Sequence, residues 1–252
     1  MLQKRKLIVS NKTTNVYWAP MFSDNPTTLE INWGILYPDP KSLYDELRPR
    51  MTDSEPRKNM FYCPAFKNLT SNTFVVKNPM KADFKICEDK IISRTKNFIT
   101  PTLSHPPSIK DSILMHYAVR MILFAEDDDI NMSLTSPFFD TPNHLKYGNI
   151  CPGKFSISNW FRSVNAEFNL KPGIDEIIIE KDEPLFYLNF DTDKKVNLIR
   201  FDMNHYLQNL SYTCGRSSDW ESWIPLVDRY KRFRESRMRQ SALREIKKNL
   251  VV

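Results

Sequence analysis

Glycine is scarce in this chain, with five residues at positions 34, 148, 153, 173 and 215. Loops that cradle phosphate need several glycines close together, so that backbone N–H groups can approach the anion. Only Gly148 and Gly153 lie within five residues of each other. Neither G-x-G-x-x-G nor G-x-x-x-x-G-K-[ST] occurs, which excludes a P-loop or a dinucleotide fingerprint. Apolar runs of the roughly 20 residues that span a bilayer are also missing. The N-terminal segment Met1–Ser10 has no long apolar stretch and no small-residue cleavage site, so no secretory signal is expected. The four cysteines, Cys63, Cys87, Cys151 and Cys214, form no C-x-x-C pair and read as reduced thiols. No G-x-S-x-G elbow is present either.

What is abundant is placed unevenly. The chain has 252 residues and a formal net charge of +6. Between Asp228 and Lys248 lie nine basic and three acidic residues, so the whole net charge resides there and residues 1–227 are neutral. A basic pI invites a nucleic-acid reading, but here only for the tail. With 41% hydrophobic residues and 12% aromatics, the rest has the composition of a folded globule.

Period-two patterns dominate the body. Short strands are expected at Lys6–Ser10, Asn15–Trp18, Thr28–Tyr37 and Phe74–Lys77. Phe84–Ser93 reads as a hairpin, and Ser112–Ala125 as a long strand that turns through Glu126–Asp129 into Ile130–Leu134. Ile174–Glu180, Leu185–Phe190 and Lys195–Phe201 read as successive strands, with Pro184 at a strand start, where a missing N–H does least harm. Leu185–Phe190 is apolar on both faces, as an interior strand of a packed sandwich should be. Leu43–Met51 suits a short helix, Thr52–Asn59 a polar loop and Pro101–Pro107 a stiff one. After Asp202, a potential N-cap, the period lengthens to the helical value. Ser218–Glu221 has a capping-box pattern, and the sequence stays helical to Lys248. The expected fold class is mainly β: a jelly-roll-like β-sandwich over residues 1–202, with C-terminal helices over 203–252 packed on it or projecting from it.

Three segments carry a resemblance: Gly153-Lys-Phe-Ser-Ile-Ser-Asn-Trp-Phe-Arg162, Glu180-Lys-Asp-Glu-Pro-Leu-Phe-Tyr-Leu-Asn-Phe190 and Tyr230-Lys-Arg-Phe-Arg-Glu235. They resemble uncharacterised proteins encoded by marine T4-like tailed phages. More distantly, the strand, tryptophan and Pro-led strand are similar to a β-sandwich family of unknown function. The resemblance implies a phage accessory or virion protein, in the host cytoplasm or the particle, and supplies no catalytic residues.

Candidate chemistry is sparse. None of His105, His116, His144 and His205 stands in H-x-[DE] or H-x-H, the strand-borne signatures of metal sites in such folds. A metal on His116 and nearby carboxylates is the alternative for a small-molecule binder or enzyme, against a hydrogen-bonded sheet histidine. Glu126–Asp129 lacks the alternating ligand spacing of a Ca²⁺ loop and reads as a solvated turn, as do Glu180, Asp182 and Glu183. No basic cluster neighbours Cys63 or Cys151 in sequence to activate either as a nucleophile. Trp160 and Arg162 form a candidate surface site, against core packing.

The tail carries the clearest functional signal. Leu226, Tyr230 and Phe233 share one helical face, but Arg237 follows on that line, while Met238, Ala242, Ile246 and Leu250 define another. The first half can dock on the body. The second needs another partner. The plainer and favoured arrangement is one long helix with a charged, solvated outer face; in the sharper one residues 234–252 project and bind a protein partner or another copy through Arg234, Arg237, Met238, Arg239, Arg244, Ile246, Lys247 and Lys248. Nucleic acid is the second choice, because aromatic interleaving ends at Phe233. No cofactor is expected, and the working expectation is a non-enzymatic interaction module.

Overall fold

The computed structural model describes residues 13–21, 38–50, 60–87, 90–95, 100–105, 112–159, 161–215 and 224–251. The expected elements at 6–10, 28–37, 52–59 and 218–221, and Trp160, lie outside them. The fold is mainly β. Sheet A has the order β14-β1-β7-β11-β9, with β6 also on β7. Its strands are β1 (Thr13–Pro20), β6 (Thr102–Ser104), β7 (Ile113–Ala125), β9 (Gly148–Ile150), β11 (Val164–Leu170) and β14 (Lys195–Arg200). Sheet B has the order β10-β8-β13-β3-β2. It comprises β2 (Lys41–Ser42), β3 (Thr73–Lys77), β8 (Asn131–Thr135), β10 (Gly153–Ser156) and β13 (Pro184–Asp191). Sheet C joins β12 (Glu176–Ile179), β4 (Ala82–Cys87) and β5 (Lys90–Ser93). β1 pairs with β14 in parallel, from Thr13 on Lys195 to Trp18 on Arg200.

The β4–β5 hairpin forms as the sequence implies, with Cys87 opposite Lys90. β7 and β13 are the long apolar strands, and β13 is interior to sheet B. Their connections depart from the simplest reading. β7 and β8 do not pair: the turn through Glu126–Asp129 carries the chain from sheet A to sheet B. Likewise β12, β13 and β14 enter sheets C, B and A in succession. Asp129 and Asp182 take positive φ (61° and 63°) in two of these crossings, a conformation that short Asp side chains tolerate better than most. At the sheet A edge, a β-carbon on Gly148 would stand 2.4 Å from the Asn169 carbonyl oxygen, so the β9–β11 approach requires glycine there.

Residue alternation separates three cores. Val16, Trp18, Met121, Leu123 and Ala125 of sheet A face Phe74, Val76, Leu188 and Phe190 of sheet B, together with Phe84 and Ile177 of sheet C. The opposite face of sheet A, through Tyr17, Ala19, Ile122, Phe124 and Phe201, is covered by C-terminal helices. The opposite face of sheet B, through Val75 and Tyr187, is covered by Leu43 and Leu47 of helix α1 (Leu43–Leu47) and Phe66 of α2 (Pro64–Ser71). Sheets A and B therefore bury apolar residues on both faces along these stretches, which is why β7 and β13 are apolar on successive residues. Ser42 caps α1, its Oγ accepting the Asp45 N–H at 3.1 Å, and a 3₁₀ turn at Arg48–Arg50 follows.

Asn78 ties the sheets together. It is fully buried, its Nδ2 donates to the carbonyls of Met80 (2.5 Å), Ile179 (3.2 Å) and Glu180 (3.0 Å), and its Oδ1 accepts the Tyr117 hydroxyl at 2.9 Å.

Candidate partner interface

Among the described residues, three helices follow sheet A: α3 (His205–Gly215), α4 (Leu226–Glu235) and α5 (Met238–Lys248). The α3 cap is Asn204 rather than Asp202: its Oδ1 accepts the Leu207 N–H at 3.0 Å. Asp202 instead donates its backbone N–H to Asn249 O at 2.8 Å. The short Asn side chain, placed three residues before Leu207, is suited to this bond. Pro225 takes the N-cap position of α4.

The tail is not one long helix. Ser236 is extended (φ −86°, ψ 169°) and breaks it. Its N–H completes α4 on Arg232 O (2.9 Å), while its Oγ accepts the Met238 N–H that opens α5 (3.2 Å). The bend falls just past Phe233, where the first apolar stripe fails in sequence. Nor does the second half project. Ala242 and Ile246 are fully buried against the outer face of sheet A, with Met238 and Leu243 packed beside them. Leu250 extends the docking through a backbone bridge to Phe201. The second stripe finds its apolar surface within its own chain. Phe233 of α4 joins it, edge-on to Phe124 at 5.9 Å between ring centres and parallel to Phe161 at 6.4 Å.

The acidic turn receives part of the basic tail. Glu126 accepts Asn15 Nδ2 at 2.7 Å and the Tyr17 hydroxyl at 3.0 Å, and pairs closely with Lys247. Those donors, Lys247 foremost, hold its carboxyl below the usual range. Burial and the Glu126 hydrogen bond push the Tyr17 phenol up to about 12. Arg239 donates to the carbonyls of Ser158 (3.0 Å) and Glu126 (2.8 Å) and pairs with Asp128 at 3.0 Å. Asp127 pairs with Lys194 at 2.8 Å, which lowers its pKa. Asp128 and Asp129 are exposed, as a solvated turn requires, but Glu126 also receives α5 through Lys247, because the sheet crossing places the turn beside the helix.

Of the tail residues expected to bind a partner, Met238, Arg239, Ile246 and Lys247 are thus engaged internally. Lys248 pairs with Glu245 at 2.9 Å along α5. Arg234, Arg237 and Arg244 are exposed. Arg234 borders two adjoining grooves. One, of about 400 Å³, has Phe155, Val227 and Tyr230 among its walls, with Lys154, Lys231 and Arg234 beside them. The other, of about 370 Å³, sets Arg234 and Arg239 against Asp128 and Asp129. Arg162 is half-buried and lies near the Tyr230 phenol and Cys214. Burial nonetheless raises the Tyr230 phenol to about 12 and the Cys214 thiol to about 12.

The histidines disperse. His144 is buried beside Glu183, its Nδ1 2.9 Å from Oε1, and burial lowers its pKa. Glu183 therefore does not face solvent as its turn suggested: it also accepts the backbone N–H groups of His144 and Glu180, each at 2.9 Å. His205 opens α3, His105 follows β6, and His116 stands on β7. Among the described residues, no three His, Cys, Asp or Glu side chains converge to hold a metal. No described helix is long and apolar enough to cross a membrane. No protein-family model, curated protein or solved structure matches the chain.

Proposed function

We propose that this chain is a phage accessory or virion-associated protein that acts as an interaction module. A jelly-roll-like sandwich is its scaffold, and the elbow between α4 and α5 is its binding face. The phage attribution rests on the resemblance of the three segments named above. The observation that supports the binding face is the groove in which Lys231 and Arg234 stand beside an apolar lining of Phe155, Val227 and Tyr230, with Val227 75% exposed and Lys154, paired with Asp191, on the wall. An acidic protein segment bearing an apolar anchor has the matching chemistry. A nucleic-acid track is the poorer fit: Asp128 and Asp129 lie beyond Arg234 in the adjoining groove and would repel a phosphate chain, while Arg239 and Lys247 already have partners.

A fluorescent acidic peptide containing one tryptophan is the probe, titrated against the full chain at two salt concentrations. Lys231→Glu with Arg234→Glu should weaken binding at least about tenfold, the scale of a lost 1.4 kcal/mol. A single-stranded oligonucleotide binding more tightly than the peptide, with a steep salt dependence, would replace this reading with nucleic acid.

A further inference from the structure

The face of sheet A that carries the helices continues beyond them, and there three strands bring a serine, a histidine and a glutamate into one line. On β7, Met115 and Tyr117 point into the sandwich core, so His116 between them points outward. Leu103 packs on that core, which sets Ser104 on the outer face of β6. Ala166 and Phe168 do the same for Glu167 on β11. Register completes the alignment: Glu167 lies directly opposite His116, and Thr102 opposite it on the other side.

Ser104 Oγ is 2.8 Å from His116 Nε2, and His116 Nδ1 is 3.1 Å from Glu167 Oε1. Ionised Glu167 only accepts hydrogen bonds, so Nδ1 must carry the proton facing it. In the neutral ring Nε2 is then the acceptor, and the Ser104 hydroxyl donates to it. This is the tautomer a general base needs to activate a serine. About a third of the His116 and Glu167 side chains remains exposed.

We propose that Ser104, His116 and Glu167 form a hydrolytic site for short-chain acyl esters on an open sheet face, separate from the helical elbow. Ser104 Oγ attacks the acyl carbon while His116 Nε2 takes its proton. The tetrahedral oxyanion collapses, the C–O bond to the alcohol breaks, and His116 returns the proton to the leaving oxygen. Water then attacks the acyl-serine by the same proton route, releasing the acid and restoring Ser104. Glu167 is a positioning residue that holds the ring and its tautomer, and Thr102 places a hydroxyl on the same face for the oxyanion.

The test uses the full chain with a fluorophosphonate probe and p-nitrophenyl acetate. Site mapping by mass spectrometry should find the phosphonate on Ser104, and Ser104→Ala should abolish both labelling and turnover. His116→Ala should cut labelling at least about 100-fold, the lower end of general-base effects. Glu167→Gln should lower kcat with KM unchanged, and Glu167→Asp should restore part of it. As a readout independent of ester choice, Ser104→Cys should alkylate with iodoacetamide faster than exposed Cys63, and His116→Ala should remove that advantage. No phosphonate on Ser104, or a Ser104→Cys thiol no faster than Cys63, would overturn the proposal.

Discussion

Ile246→Ala decides whether α5 belongs to the body. Ile246 has no exposed surface and packs with Tyr17, Phe124 and Phe233 on the outer face of sheet A. The change removes three carbons, or about 2.4 kcal/mol of transfer free energy at ~0.8 kcal/mol per methylene. The cavity left behind raises the total to about 3–4 kcal/mol. For a chain of this size each kcal/mol shifts Tm by roughly 2–4 °C, so a fall of about 10 °C is expected. That is a large share of a typical stability of about 5–15 kcal/mol. Urea unfolding followed by circular dichroism reads it as a lower midpoint with unchanged slope. An unfolding free energy within about 0.5 kcal/mol of the parent, the range of surface substitutions, would mean that α5 is not docked. Deleting residues 238–252 asks the same question more severely: a docked helix predicts loss of stability in the body, a projecting one an intact body.

Acid should act in two windows. Burial lowers the His144 pKa from 6.5, so the unfolded chain takes up a proton that the folded chain refuses, and stability falls as pH drops below about 6.5. The Glu126 pKa lies below the ordinary glutamate value of 4.5, so its contribution is present above that value and is lost as pH falls further; Glu126→Gln should flatten this second decline in pH-dependent urea midpoints. Asn78→Ala should cost about 2–4 kcal/mol, because it removes the acceptor of the buried Tyr117 hydroxyl and the donor to three carbonyls. Adding Tyr117→Phe should cost less in that background than alone, as a double-mutant cycle would show.

Sequence pattern reveals local conformation here more readily than partnership. The β4–β5 hairpin, the length of β7, the interior place of β13 and Pro184 at its start all follow from alternation and turn chemistry. Alternation reports that a face is buried but not against what. The apolar outer residues of β7 and β13 signal a second covering on each sheet, and helices provide it in both cases. Val164, Ala166, Phe168 and Leu170 alternate clearly, so β11 was legible although no strand was expected there. The failing stripe after Phe233 located the elbow. It did not reveal that the second stripe closes on Ile122 and Phe124, more than 100 residues earlier in the chain. Ser104, His116 and Glu167 fit no linear motif, because their alignment comes from pairing between three strands.

The parallel pairing of β1 with β14 also orders events during synthesis. β1 lies between β7 and β14, so sheet A reaches its full width only after residues 195–200 have left the ribosome. Until then the nascent chain carries a β1 edge with unsatisfied backbone groups on one side. Closing so long a loop is slow, and it leaves a strand edge open to neighbouring chains in the meantime. Yield in the cell should therefore depend on how quickly translation carries the last strand out of the ribosome, and a pause shortly before residue 195 should favour aggregation more than a pause late in α5.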